Sequence, residues 1–191
     1  MNWFPDYNYI LASKSPRRQM LLKSLGISFQ VRTKEVNEDY PEGMEREKIP
    51  VYLAELKSKP FLHDLADKDL LITADTIVWL NGTVLGKPGN SKSAREMLLN
   101  LSGKEHQVIS GVCLSSVNKQ RSFSSVSNVR FKTLTEGEID YYITSYSPYD
   151  KAGAYGIQEW IGCIGITHIE GSFYNVMGLP VQDLYNEIMN F

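Results

Sequence analysis

The chain has 191 residues, 42% of them hydrophobic, and a formal net charge of −2. That is enough apolar material for a single domain spanning 1–191, with two lobes around a cleft, but not for two independent domains. The charge excludes a general basic field, so nucleic acid is not the expected partner and a polyanionic ligand must be met by locally clustered cations.

No run approaches the ~18 apolar residues of a membrane span. Cys113 and Cys163 show neither a CxxC nor a zinc-type spacing. MNWFPDYNY carries no basic and apolar leader pattern, so the expectation is a reduced, cytoplasmic protein.

In chain order, Tyr9-Ile10-Leu11-Ala12 reads as a buried strand that stops at Ser13-Lys14-Ser15-Pro16. Ser15 can cap a helix whose first position is Pro16. Arg17 and Arg18 then fall in the first turn, where free N–H groups and the positive end of the macrodipole disfavour each cation by ~0.3–1 kcal/mol. An anion there offsets that cost; the alternative is that both arginines are solvated or paired with Asp or Glu elsewhere. Strand, Ser-rich turn and helix start together form a geometry that holds phosphate, which makes Ser13, Ser15, Arg17 and Arg18 candidate binding groups.

Met20, Leu21, Leu22 and Leu25 form the apolar stripe of this helix, which ends at Gly26. Ile27 to Arg32 alternates as a strand does, and residues 33–41 have no period; their acids, Glu35, Glu38 and Asp39, fit either metal ligation or solvated loop charge. Pro50 can open a second helix packing Val51, Leu53, Ala54 and Leu56 inward, closed near Lys59 by Pro60. Lys57 near its end complements the helix dipole and by itself says little.

Leu70 to Leu80 (LLITADTIVWL) is a strand apolar on both faces except at Asp75-Thr76. Aspartate is depleted from strands and costly to bury unless paired or bound to a cation, so a site is expected there. Asn81-Gly82 is a two-residue hairpin signal that returns Thr83-Val84-Leu85 antiparallel and can bring Lys87 to the mouth of the same cleft, although a lysine in an exposed loop fits equally well.

Ser93 and Glu96 form a capping-box pattern before a helix over Ala94, Met97, Leu98 and Leu101. His106 to Ser116 and Arg121 to Leu134 read as strands. Thr135 and Glu138 cap a further helix whose Tyr141 and Tyr142 read as packing. In residues 148–158 (PYDKAGAYGIQ), small residues mixed with Lys151 and Gln158 suggest backbone approaching a ligand, with a plain irregular loop as the competing reading. Ile164 to Ile169 and Ser172 to Met177 read as strands around a Glu170-Gly171 turn, and Val181 to Phe191 as a terminal helix.

SKSPRRQMLL (13–22), ADTIV (74–78), GKP (86–88), LSGKEHQVISGV (101–112), DKAGAYGIQ (150–158) and EGSFYNVMGLP (170–180) together resemble the Maf family of nucleotide pyrophosphatases, in that family's order and over essentially the whole chain. The resemblance implies an α/β, inosine-triphosphatase-like fold with a mixed elongated sheet flanked by helices. It implies hydrolysis of a nucleoside triphosphate between its α and β phosphates. The family's phosphate-contacting and catalytic groups fall on Ser13, Arg17, Glu38, Lys57, Asp75 and Lys87. Its specificity positions fall on Arg17, Thr76 and Gln158, in the form that looks like the subgroup acting on dTTP and UTP. Lys14 and the Lys57-Ser58-Lys59-Pro60 run depart from the family pattern.

On that footing Asp75, Lys57 and Lys87 are the expected catalytic groups. Glu38 and Asp75 are hard oxygen ligands for Mg²⁺ or Mn²⁺, and Lys151 joins Ser13, Ser15, Arg17, Arg18, Thr76 and Gln158 as a substrate contact. The resemblance also carries an expected homodimer. Two rivals stand beside this reading: the same chemistry on another nucleotide such as 7-methyl-GTP, and a nucleotide- or nucleic-acid-binding regulator of septum formation without turnover.

Overall fold

The computed structural model describes residues 3–191. Seven strands and seven α-helices follow one another as β1 (Asn8–Leu11), α1 (Pro16–Ser24), β2 (Phe29–Val31), α2 (Lys48–Ser58), β3 (Asp69–Leu80), β4 (Thr83–Leu85), α3 (Ser91–Leu101), β5 (Glu105–Ser115), β6 (Gln120–Phe131), α4 (Glu136–Tyr146), α5 (Trp160–Gly165), β7 (Ile166–Glu170), α6 (Phe173–Met177) and α7 (Val181–Met189). The strands make one mixed sheet in the order β2-β1-β3-β5-β6-β7, with β4 paired to β3, so the expected helix-flanked mixed sheet is what the chain builds. No helix among the described residues is long and apolar enough to cross a membrane.

The chain divides into two compact units. The first runs to Thr76 and adds Ser110–Ser125 and Gly178–Phe191. Here β1 lies parallel to both β2 and β3, and Ile10, Leu11, Leu22, Ile49, Leu70, Leu71 and Ile72 are fully buried. Helix α1 begins as its sequence dictates: Pro16 follows Ser15, whose Oγ accepts the Arg18 N–H at 3.4 Å, and Gly26 takes a φ of +79° just past the last turn. Met20, expected in the core, is 54% exposed, because α1 buries only the narrow stripe of Leu21 and Leu22.

Helix α2 lies directly against the backbone of β5. A Cβ on Gly111 would sit 2.2 Å from the Pro50 carbonyl carbon, a closeness that only glycine permits. The Thr73 hydroxyl adds a 2.6 Å bond to the Ala54 carbonyl, fastening β3 to the same helix. Pro50 is the third residue of α2 rather than its first; a proline there still sits in the first turn, where no N–H is required. Pro60 ends the α-helix at Ser58 but the chain continues as a 3₁₀ turn over Lys59–Asp64.

The second unit comprises Ile77–Ile109 and Val126–Met177. The Asn81-Gly82 turn carries φ of +49° and +83° and joins β3 to β4 in antiparallel register. Helix α3 is capped by Asn90, with Ser93 as the reciprocal member of the box, so the cap lies three residues ahead of the expected Ser93. Thr135 and Glu138 form the expected box on α4. Arg95 of α3 reaches Glu136 at 2.8 Å and Asp140 at 2.9 Å on α4.

Two stretches differ from the sequence expectation. Trp160–Gly165 is a helix, and Phe173–Met177 is helical rather than a strand. The second is held by Asn175, whose side-chain amide donates to the Val108 carbonyl at 3.1 Å and to Ser127 Oγ at 3.0 Å, tertiary bonds that outweigh the strand propensity of Phe173, Tyr174 and Val176.

Candidate active site

In the first unit, the polar interruption of β3 is where charge collects. Asp75 is 8% exposed on a strand whose neighbours are apolar, and burial of a lone carboxylate would cost several kcal/mol. The last turn of α2 supplies its partner: Lys57 Nζ lies 2.5 Å from Asp75 Oδ1 and 3.0 Å from Glu38 Oε1. One ammonium is thus shared by two carboxylates that come from a strand and from an irregular loop. The group carries a net negative charge, and one oxygen of each carboxylate is taken by the ammonium. Such a donor set fits a small divalent cation whose remaining ligands are water and phosphate; among the described residues there is no cluster of three or more acidic, His or Cys side chains that would hold a metal unaided.

The opposite side of the same strand segment is fixed by Arg18. Its Nη1 donates to the Ala74 carbonyl at 2.8 Å, its Nη2 to Thr76 Oγ1 at 3.0 Å, and its Nε to the Gly178 carbonyl at 2.8 Å. The fork therefore grips the residues on either side of Asp75. Desolvation pulls the guanidinium pKa down, opposed by the carboxylate of Asp75. The sequence reading aims Arg18 at an anion; in the structure three of its five donors are spent on protein acceptors. Thr76 Oγ1 also lies 2.9 Å from Ser110 Oγ, and this hydroxyl pair had no sequence signal, because Ser110 sits inside the apolar run of β5. Ser13, also buried, accepts the Ser15 N–H at 3.2 Å and binds Gln19 through its carbonyl, which shapes the turn before α1. Arg17, half-buried, follows at the helix start.

In the second unit, Lys87 is exposed just after β4, and Gln158 is exposed on a turn. Lys151 does not point to solvent: it is 7% exposed, with Nζ 2.7 Å from Asp150 Oδ1 and 3.1 Å from Glu159 Oε1. Glu159 and Tyr142, both outside the residues singled out for function, complete that arrangement. The Tyr142 hydroxyl donates to Glu159 Oε2 and accepts the Gly156 N–H at 3.1 Å. The Tyr142 pKa is raised by burial and then by Glu159.

A mixed-sheet α/β chain with a carboxylate–ammonium–carboxylate set at one strand and a Gly-rich turn bearing an exposed amide is the class that these observations define. The chain belongs to the Maf family: the family model described as "Maf-like protein" matches residues 8–191. Among curated proteins it is 56% identical to a dTTP/UTP pyrophosphatase of Phocaeicola vulgatus over 183 residues, covering 95% of each chain. It is 53% identical to one of Porphyromonas gingivalis over 188 residues, 97% of this chain and 94% of the other. It is 48% identical to one of Cytophaga hutchinsonii, with 98% and 86% covered. A solved Staphylococcus aureus Ham1 protein is similar at 18% identity and a TM-score of 0.47, covering 65% of this chain and 71% of that one.

Proposed function

We propose that the protein is a cytoplasmic hydrolase that cleaves dTTP and UTP between the α and β phosphates, giving the monophosphate and pyrophosphate. The observation that carries this reading is the Lys57 ammonium held between Asp75 and Glu38, in a chain more than half identical to proteins named dTTP/UTP pyrophosphatase. A bare phosphate binder has no reason to place two carboxylates, the buried Asp75 and the exposed Glu38, at its cationic centre, since like charge repels the ligand. A hydrolase needs such a pair to orient water and hold a cation.

Asp75 is the group assigned to orient the attacking water and accept its proton as the water oxygen bonds to the α-phosphorus and the pyrophosphate oxygen departs. Lys57, anchored by the same carboxylate, stabilises charge gathering on the phosphates, and Arg17 and Lys87 are assigned the same task. Glu38 and Asp75 are the residues that would hold Mg²⁺ or Mn²⁺; when bound, that cation supplies charge neutralisation to the triphosphate. The Ser13–Ser15 turn offers backbone and hydroxyl donors to phosphate. Gln158, presenting both a donor and an acceptor, is assigned to the edge of a pyrimidine, with Thr76 and Arg17 as the other specificity positions.

The test is product release from dTTP, UTP, CTP, GTP and 7-methyl-GTP, with and without chelator. Pyrophosphate from dTTP and UTP, abolished by chelator, is the expected result. Orthophosphate alone, or no turnover of any substrate, would sink the proposal, and a preference for 7-methyl-GTP would discard the pyrimidine assignment.

A further inference from the structure

We infer that Tyr142, with Glu159 and Lys151, forms a buried clamp that sets the position of Gln158, making Tyr142 a positioning residue for base selection; this rests on the assignment of Gln158 to the pyrimidine edge. Gln158 itself is exposed. The turn that bears it is anchored at Gly156 and at Glu159. Tyr142 is fully buried on α4, its ring stacked on Tyr146 at 5.1 Å between centroids. Its hydroxyl reaches two residues back from Gln158, taking the Gly156 N–H at 3.1 Å, and one residue forward, donating to the Glu159 carboxylate. One oxygen therefore closes a ring across the turn that bears Gln158. The second Glu159 oxygen is taken by the Lys151 ammonium at 3.1 Å.

The backbone of the turn is as tightly set. A Cβ on Gly156 would lie 2.9 Å from the Glu159 carboxyl carbon and 3.1 Å from Lys151 Cε, and one on Gly162 would lie 1.8 Å from the Ile157 oxygen. The Glu159 N–H donates to the Gly156 carbonyl at 3.0 Å, closing the turn once more. The clamp also reaches the segment carrying Lys87. Lys151 leads into Gly153, whose φ is +68° and whose N–H donates to the Gly86 carbonyl at 3.0 Å. A hydroxyl that burial and a neighbouring carboxylate keep protonated is suited to such a fixed role, because it remains a donor across the working pH range. Nothing in the set touches the exposed amide directly, so its effect on substrate passes through backbone geometry. Small displacements of that kind are enough to weaken recognition.

The experiment is a double-mutant cycle on dTTP and UTP with Tyr142→Phe, Gln158→Ala and the pair, reading KM, kcat and the ratio of kcat/KM for UTP over CTP. Tyr142→Phe keeps the ring and its stacking and removes only the oxygen. Expected is a roughly tenfold rise in KM with kcat within about twofold, and a matching fall in the UTP/CTP ratio. Gln158→Ala does the same, and the double variant is no worse than Gln158→Ala alone, since both act on one contact. Glu159→Gln, read in the same cycle, replaces Tyr142→Phe should that variant melt below assay temperature.

Losses that multiply in the double variant, or a Tyr142→Phe enzyme whose KM and substrate ratio are those of the wild type, would overturn the clamp while leaving the pyrophosphatase reading intact. A Gln158→Ala enzyme with unchanged base preference, or a wild type that releases no pyrophosphate, would overturn the reading beneath it and the clamp with it.

Discussion

At the scale of single residues, the chemistry turns on how one lysine is shared. Lys57 is 2.5 Å from Asp75 and 3.0 Å from Glu38, so removing the charge of Asp75 leaves the ammonium with a carboxylate still in reach. Asp75→Asn keeps the volume and the strand, and the cost of stranding a buried cation is avoided. The expected outcome is a fold unchanged by circular dichroism and melting, with kcat for dTTP lower by about 10²–10⁴-fold, the range that a positioned acid–base group supplies. A variant within tenfold of the wild-type rate would remove Asp75 from the proton-accepting role. Sequence alone marked Asp75, because an acid inside LLITADTIVWL contradicts its surroundings. Local pattern did not mark the partner, which only the family resemblance singled out: Lys57 is 18 positions away on a helix end where a lysine is ordinary. Arg18 shows the converse. Its place at a helix start suggested an anion, whereas the fork closes on Ala74, Thr76 and Gly178, contacts that depend on chain segments up to 160 positions apart.

At the scale of elements, helix α2 delivers Lys57 only because β5 lets it come close. Gly111 faces the Pro50 and Val51 backbone, where an added Cβ would meet atoms at 2.2 and 2.3 Å, and backbone cannot step aside as a side chain can. Gly111→Ala is therefore expected to push α2 off the strand, costing about 1–3 kcal/mol as overpacking does. Activity should fall further than that stability loss explains, since Lys57 rides on the displaced helix. Urea midpoints and kcat measured on the same preparation check this; unchanged kcat in a destabilised variant would mean that α2 shifts without moving Lys57. The elements legible in the sequence were those with local punctuation: Ser15-Pro16 and Gly26 around α1, Asn81-Gly82 after β3, Thr135 and Glu138 on α4. Those missed lack it. Trp160–Gly165 contains two glycines and is six residues long, a helix that propensity disfavours; it forms where Gly162 packs against the Ile157 carbonyl.

At the scale of the whole molecule, three of the four places where the chain passes between its two units lie inside strands β3, β5 and β6, and the fourth lies between α6 and α7; we propose that residues 1–191 unfold as one domain. His106 offers a way to test this with pH. It is 2% exposed, stacked on Phe131 with 5.7 Å between centroids, and its Nε2 lies 2.7 Å from the Tyr155 hydroxyl, while Nδ1 is buried without a partner. Burial lowers its pKa from 6.5 to about 4, so the folded chain holds it neutral where the unfolded chain takes up a proton. Stability is then full above about pH 6.5, falls as the pH drops toward about 4, and levels off below, because only in that window does the unfolded state bind the extra proton. Between pH 7 and 5 the loss expected from this group is about 2 kcal/mol. Urea melts across that range should show it, and a His106→Gln variant should lack that part of the slope. Parallel slopes for the two proteins would mean that His106 is not the group responsible. The whole-chain claim is read from the same melts. His106 belongs to the second unit, and the Lys119–Phe191 contact to the first. Acid destabilisation transmitted by continuous strands must lower the midpoint seen by amide exchange in both units together. Exchange that accelerates only around His106, with β1 and α7 still protected, would show two separately stable units.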